Sequence, residues 1–249
     1  MRIGTIIPAA YFLLPLTLTA QSKYETAPEI EYEMIYVEGG EFLMGDLFFE
    51  HNPDALPVHR VRLDDFYIGR YPVTFAQYDE FARLNNYPLP AEWQRQRGDR
   101  AVVDVSWNEA LAFCESIGYR LPKETECEYA ARSGGKVEMF SGTNIRDSLH
   151  YYAHFRYNSP PVSRTVGTKK PNGLGIYDMS GNVYEWIGDW YMQYQGDPIR
   201  RVYYPTDEKD LRVIRGGSSF QLPFTIRTYW RAYTFRHNRS REIGFRYAQ

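Results

Sequence analysis

Val102–Arg132 reads VVDVSWNEALAFCESIGYRLPKETECEYAAR and holds two helix starts and one helix stop. Ser106 precedes Trp107, and Glu109 stands three residues on. In that reciprocal pattern serine and glutamate each satisfy the other's backbone N–H. Trp107, Ala110, Leu111, Cys114 and Ile117 then fall on one helical face, and Gly118 closes the run. A shorter helix follows Pro122 through KETECEYAARS and ends at Gly134-Gly135.

Upstream the same logic gives a third helix. Thr74 and Gln77 form a second capping pattern, and Phe75, Tyr78, Phe81 or Ala82, and Leu84 make its apolar stripe. Before it, Met34–Asp46 alternates apolar and polar residues around Gly39-Gly40, which predicts a strand, a tight turn and a second strand. His59–Val73 reads as further strand, with Val61, Leu63, Phe66 and Ile68 facing inward. Beyond residue 135 regular periodicity fades into Gly, Pro, Asn and aromatic residues, a pattern of loops tied to a small sheet. The prediction is one α+β domain over residues 34–249, with short helices, small antiparallel sheets and much irregular loop.

The composition is that of a globular protein, with 43% hydrophobic and 24% charged residues among 249. The first twenty residues, MRIGTIIPAAYFLLPLTLTA, carry one early cation and an apolar run ending in small residues. They predict an export signal cleaved after Ala20, hence a periplasmic, cell-surface or secreted protein. An uncleaved membrane anchor is the alternative, and the only route to a membrane that this reading offers. Residues 21–33 read as a flexible polar segment. Cys114 and Cys127 are the only cysteines. They are either a disulfide or two small buried thiols. No C-x-x-C or H-E-x-x-H pattern suggests zinc.

Charge is unevenly spread. Residues 212–249 hold eight arginines, no lysine and one acid, Glu242, for a net +7 against −9 in the remainder. Such a tail either seeks a polyanion or packs against the acidic body through arginine forks. The lack of lysine favours packing, and no nucleic acid is expected.

The segments GGEFLMGD (39–46), Val102–Arg132, PNGLGIYDMSGNVYEW (171–186), RVIRGGSS (212–219) and GFR (244–246) occur in an order that resembles the formylglycine-generating enzyme, or sulfatase-modifying factor, domain family. The resemblance implies a fold similar to C-type lectins. Its oxidase members resemble one another in a pair of cysteines after the GGS turn, where thiolates suit copper. Those two places fall here at Gln221 and Ile226. The pair is missing, no copper is expected, and a formylglycine-generating oxidase becomes the alternative rather than the leading reading. The resemblance also implies a structural Ca²⁺ held by Asp178, Gly181, Val183 and Glu185, two carboxylates and two carbonyls in eight residues. Pairing of Asp178 and Glu185 with tail arginines is the competing reading. A second calcium site of the family looks lost, with His154 in place of an asparagine.

Without the thiols, the tail invites a different use. Arg215–Ser218 and Gly244–Arg246 read as framework, and Arg227, Arg231 and Arg239 as framework arginines bonding backbone. Between them lie Phe220, Gln221, Phe224, Tyr229, Trp230, Tyr233, Phe235, His237, Asn238 and Ser240, which follow no period. Rings, arginine and short polar side chains are what ligand-gripping loops use. The segment resembles the C-terminal stretch of the variable proteins of diversity-generating retroelements. The sequence thus predicts a non-catalytic binding domain for a protein or other macromolecular ligand. An accessory subunit of the cell envelope is a further alternative.

Overall fold

The computed structural model describes residues 23–25, 32–49, 52–91, 97–194 and 210–249. The predicted export signal and most of the polar segment after it lie outside the described residues. No helix among the described residues is long and apolar enough to cross a membrane.

Both capping boxes form. Thr74 opens α1 (Phe75–Asn85) by accepting from the Gln77 N–H while Gln77 accepts from the Thr74 N–H, and Ser106 and Glu109 do the same for α2 (Trp107–Ser116). The buried side of α2 is wider than the predicted stripe. It adds Ala112 and Phe113, because the helix is covered by α1 on one flank and by the C-terminal strand on another. At the start of the third helix, α3 (Glu124–Ala131), the Lys123 side chain makes no cap, but Glu126 Oε2 accepts from the Lys123 N–H at 2.8 Å. Asp189 reaches across from a later strand to accept from the Glu124 N–H at 2.6 Å, placing an anion at the positive helix end.

The strands around Gly39-Gly40 exist, but they do not pair with each other. β1 (Met34–Val37) pairs with β4 (Phe66–Gly69), and β2 (Gly40–Met44) pairs with β3 (His59–Leu63), both antiparallel. The predicted strand over 59–73 is split in two by Asp64-Asp65, and it is this break that lets its halves serve different partners. Among the described residues the C-terminal half is as irregular as the sequence suggested. Its one sheet runs β7-β6-β5-β8, from β5 (Tyr184–Trp190), β6 (Leu211–Arg215), β7 (Ala232–Phe235) and β8 (Ile243–Phe245). The β5–β8 pair is parallel and the others antiparallel. A last helical turn, α4 (Leu149–Tyr152), follows a 3₁₀ turn at Arg146–Ser148.

What holds the sheet to α3 is charge. Glu124 and Glu128 are one turn apart, so they share a face, and that face is buried. Arg231 makes a two-pronged contact with Glu124, at 2.6 and 2.9 Å. Arg215 reaches Glu124 at 3.3 Å and also bonds Glu128. Arg132 meets the other Glu128 oxygen at 2.9 Å, and that oxygen accepts from the Gly45 N–H at 2.8 Å. Much of the tail's positive charge is met by acids of the body, three of its arginines inside and others at the surface. Arg246 pairs with Glu185, Arg239 with Glu109 and Arg236 with Asp210. Arg212 lies between the rings of Trp107 and Trp190, 3.6 and 3.3 Å from their centroids.

His154 is buried beside this frame. Thr168 Oγ1 donates to the Thr165 carbonyl at 3.1 Å, so at 2.7 Å it must accept from His154 Nε2. The imidazole thus carries its proton on Nε2, and Nδ1 faces Ser159 Oγ at 3.5 Å. Burial, then the nearby Lys169 and Arg164 charges, push its pKa down from 6.5 to about 4.

Two outcomes follow. Replacing Glu128 by Gln strands Arg132 and Arg215 and should cost about 3–5 kcal/mol in urea unfolding, far more than any surface change. The neutral His154 contributes stability above its ordinary pKa of 6.5, and that contribution is lost as pH falls toward about 4. His154→Asn should flatten the loss of melting temperature across that window relative to the parent chain.

Candidate functional site

The candidate surface is built on the loop from Gly216 to Trp230. Arg215 stands at its start and Arg231 at its end, and both are anchored on Glu124. Gly216 and Gly217 both take left-handed backbone, φ +87° and +71°. A Cβ on Gly217 would lie 2.5 Å from Ile226 Cγ2 and 2.8 Å from the Thr225 carbonyl, so the turn admits no side chain there.

The two places that the resemblance assigns to thiolates hold other chemistry. Ile226 is fully buried, in an apolar cluster with Phe140, Leu149, Ala153 and Phe155. Gln221 is half-buried, and its amide donates to Glu242 Oε2 at 2.8 Å. The same carboxylate oxygen accepts from Ser218 Oγ at 2.7 Å. Neither cysteine lies free to act. Both are reduced and buried. Burial pushes the Cys127 thiol up to about 12 and the Cys114 thiol well above its ordinary value, so neither is a thiolate near neutral pH.

The tail residues fall into groups. Phe224, Tyr233, Phe235 and His237 are exposed, while Phe220, Gln221, Trp230, Asn238 and Ser240 are partly so. Phe224 meets Trp230 edge-on at 5.6 Å, and Phe235 stacks on His237 at 5.5 Å. Tyr233 leans on the buried Tyr191, with centroids 4.2 Å apart. Gln221 and Ser240 are joined through Glu242, whose N–H donates to Ser240 Oγ at 3.2 Å. Arg241 covers the Phe220 ring at 5.5 Å. Tyr229 is a correction to the sequence reading. It is 0% exposed, with its ring stacked on Phe48, so it belongs to the interior. Glu242 is the residue that the sequence reading left out of the site. Its signal was present, as the one acid among eight arginines.

Asp178, Gly181, Val183 and Glu185 lie on one loop that runs into β5. The loop is forced into shape by Gly181, whose φ is +80° and whose Cβ, if present, would lie 2.2 Å from the His154 carbonyl. Glu185 spends both oxygens on Arg246, at 2.5 and 2.6 Å, which is the arginine pairing that the sequence offered as the competing reading. Asp178 is different. Its Oδ2 accepts from the Gly167 N–H at 2.8 Å, but its buried Oδ1 has no hydrogen-bond partner. Burial pushes its pKa up from 3.8 to about 6, against the opposing pull of the Gly167 N–H and Arg246.

Comparison with known proteins places this arrangement. The model of the sulfatase-modifying factor enzyme 1-like domain matches residues 20–249. The formylglycine-generating enzyme of Streptomyces coelicolor is 30% identical over 244 residues, covering 74% of this chain and 77% of that protein. The mouse formylglycine-generating enzyme is 28% identical over 246 residues, 75% of this chain, and the match spans 66% of the mouse protein's length. Among solved structures, PvdO from Pseudomonas aeruginosa superposes with a TM-score of 0.75 at 27% identity, covering 91% of this chain and 97% of that one. Variable protein 1 of Treponema denticola gives 0.74 at 26% identity, covering 91% and 98%. The chain belongs to the family of sulfatase-modifying factor enzyme 1-like domains.

Proposed function

We propose that this chain is a non-catalytic binding domain that grips a protein or other macromolecular ligand through its C-terminal arginine and aromatic loops. One observation carries the reading: the two loop positions that would hold copper thiolates present a buried isoleucine and an amide already bonded to Glu242. Ile226 offers no donor atom, and Gln221 offers a hard oxygen unsuited to Cu(I). The same loop and β7 carry exposed rings set on a frame fixed by ion pairs, which is a low-entropy way to present contact area. Similarity to a variable protein supports the reading, since such a loop can change its residues without disturbing its anchors. The apolar run at Met1–Ala20 supports an exported setting.

Two assays test it together. An oxidase would take up copper and consume oxygen with a cysteine-containing sulfatase peptide. We expect neither above the rate of free copper, and stoichiometric oxygen uptake with peptide turnover would overturn the reading. Tyr233→Ala with Phe235→Ala should abolish crosslinking of the parent chain to a macromolecular ligand and leave the melting temperature in place. Tyr229→Ala should instead cost about 3–5 kcal/mol of stability, as the loss of a buried ring does.

A calcium ion is proposed alongside, held by Asp178 with the carbonyls of Gly181 and Val183. No group of three His, Cys, Asp or Glu gathers among the described residues, so the ion would depend on backbone oxygens. The uncommitted, buried Asp178 Oδ1 is the observation that fits it. When bound, the ion would supply the positive charge that Asp178 lacks. Added Ca²⁺ should raise the melting temperature of the parent chain and leave Asp178→Asn unchanged. An equal response in both would remove the ion from this loop.

A further inference from the structure

Folding cancels most of the charge of the tail, but a second positive run has no ion-pair partners among the described residues. From Thr143 to Lys170 the chain carries Arg146, Arg156, Arg164, Lys169 and Lys170 against one acid, Asp147. Among the described residues none of these five cations forms an ion pair, whereas Arg215, Arg231 and Arg246 in the tail all do. Arg146, Arg156 and Lys170 are exposed.

Local contacts bring Lys169 and Lys170 to α4, next to Arg146. The Lys170 N–H donates to the Tyr151 carbonyl at 2.8 Å, and Lys169 Nζ donates to the His150 carbonyl at 2.7 Å. The segment before Lys170 therefore runs along α4. The Lys170 ammonium sits 5.1 Å from the centroid of the Tyr151 ring, and the rings of His150 and Tyr151 lie 3.8 Å apart. Arg146 begins the 3₁₀ turn that leads into α4.

Apolar side chains stand in water beside these cations. Ile145, immediately before Arg146, is 63% exposed. Val137 is exposed as well, and Asn144 ties the two loops together: its Nδ2 donates to the Val137 carbonyl at 2.8 Å and its Oδ1 accepts from the Met139 N–H at 2.6 Å. Tyr151 and Tyr157 add two exposed rings with polar tips. The neighbouring Glu138 carboxylate, half-buried, faces Ser133 and Gly142 and pairs with none of these cations. Its Oε2 is taken by Ser133 Oγ at 2.8 Å and by the Gly142 N–H at 3.2 Å.

We propose that this face docks the protein onto an anionic lipid bilayer. Ile145 and Val137 enter the interfacial layer, the tyrosines sit at headgroup level, and Arg146 and Lys170 meet the lipid charge. A water-borne polyanion would neutralise the same cations but would leave the two aliphatic side chains exposed. An anionic bilayer meets both features at once. The contact is peripheral and independent of the N-terminal apolar run, and its edge at Glu138–Met139 is tied to the Gly216–Trp230 loop by Thr228, whose Oγ1 and N–H donate to the Glu138 and Met139 carbonyls at 2.6 and 2.9 Å.

The test is sedimentation of the full chain with vesicles of phosphatidylcholine, and of phosphatidylcholine mixed with phosphatidylglycerol. The N-terminal run adds equally to both, so the readout is the excess on the anionic vesicles. We expect a clear excess that falls with added salt. Arg146→Ala with Lys170→Ala should reduce it by on the order of 20-fold. Ile145→Ser should reduce it several-fold, and all variants should keep the parent melting temperature. No excess, or an excess that survives both changes, overturns the proposal. So does an excess that resists Ile145→Ser while soluble polyphosphate competes it away completely, which would make the patch a polyanion site.

Discussion

The structure depends on two buried carboxylates one helical turn apart. Glu124 and Glu128 lie on the face of α3 that packs against the sheet, where an unpaired charge would be costly. They are neutralised by arginines from three places: Arg132 at the end of the same helix, and Arg215 and Arg231 from the far end of the chain. Guanidinium suits this role better than ammonium, because one planar fork can meet a carboxylate and a backbone carbonyl at once. Arg231 does so, bonding Glu124 together with the carbonyls of Asp54 and Met192. The requirement also explains why the tail contains arginine and no lysine.

The positions of these arginines decide what the loop between them can be. Arg215 and Arg231 bracket fifteen residues of mostly irregular backbone, and both ends are fixed to one carboxylate pair. The loop needs no regular hydrogen-bond ladder to hold its shape. Its interior residues, Ile226 and Tyr229, pack beneath it, and its remaining side chains are free of any structural duty to α3. A frame of that kind can carry a thiolate pair in one relative and a set of rings in another without refolding. Family membership therefore identifies the frame, while the residues on the loop decide the chemistry.

The sequence disclosed the elements whose signals are local. The capping pairs Thr74–Gln77 and Ser106–Glu109 mark both longer helices, and each forms as read. The order of motifs identified the fold. Pairing was not legible. The glycine pair at 39–40 looks like a hairpin turn, yet its flanking strands pair with β3 and β4, because Asp64-Asp65 breaks the following segment. Burial on the loop was also hidden. Tyr229 and Phe224 are both aromatic residues in aperiodic sequence, and only the three-dimensional path shows that one faces Phe48 while the other faces water. Glu242 went unassigned for a similar reason. Its two partners, Ser218 and Gln221, lie more than twenty residues away.

Surface charge follows the same rule. A run of eight arginines reads as a basic patch, but acids scattered from Glu109 to Asp210 come to it in the fold and cancel most of it. A less conspicuous run, Arg146 to Lys170, forms no ion pair among the described residues, and the Lys169 ammonium meets the His150 carbonyl rather than a carboxylate. Carbonyl oxygens orient an ammonium group without neutralising it. The electrostatic face of this protein is therefore set less by where basic residues cluster in sequence than by which polar group the fold places opposite each one.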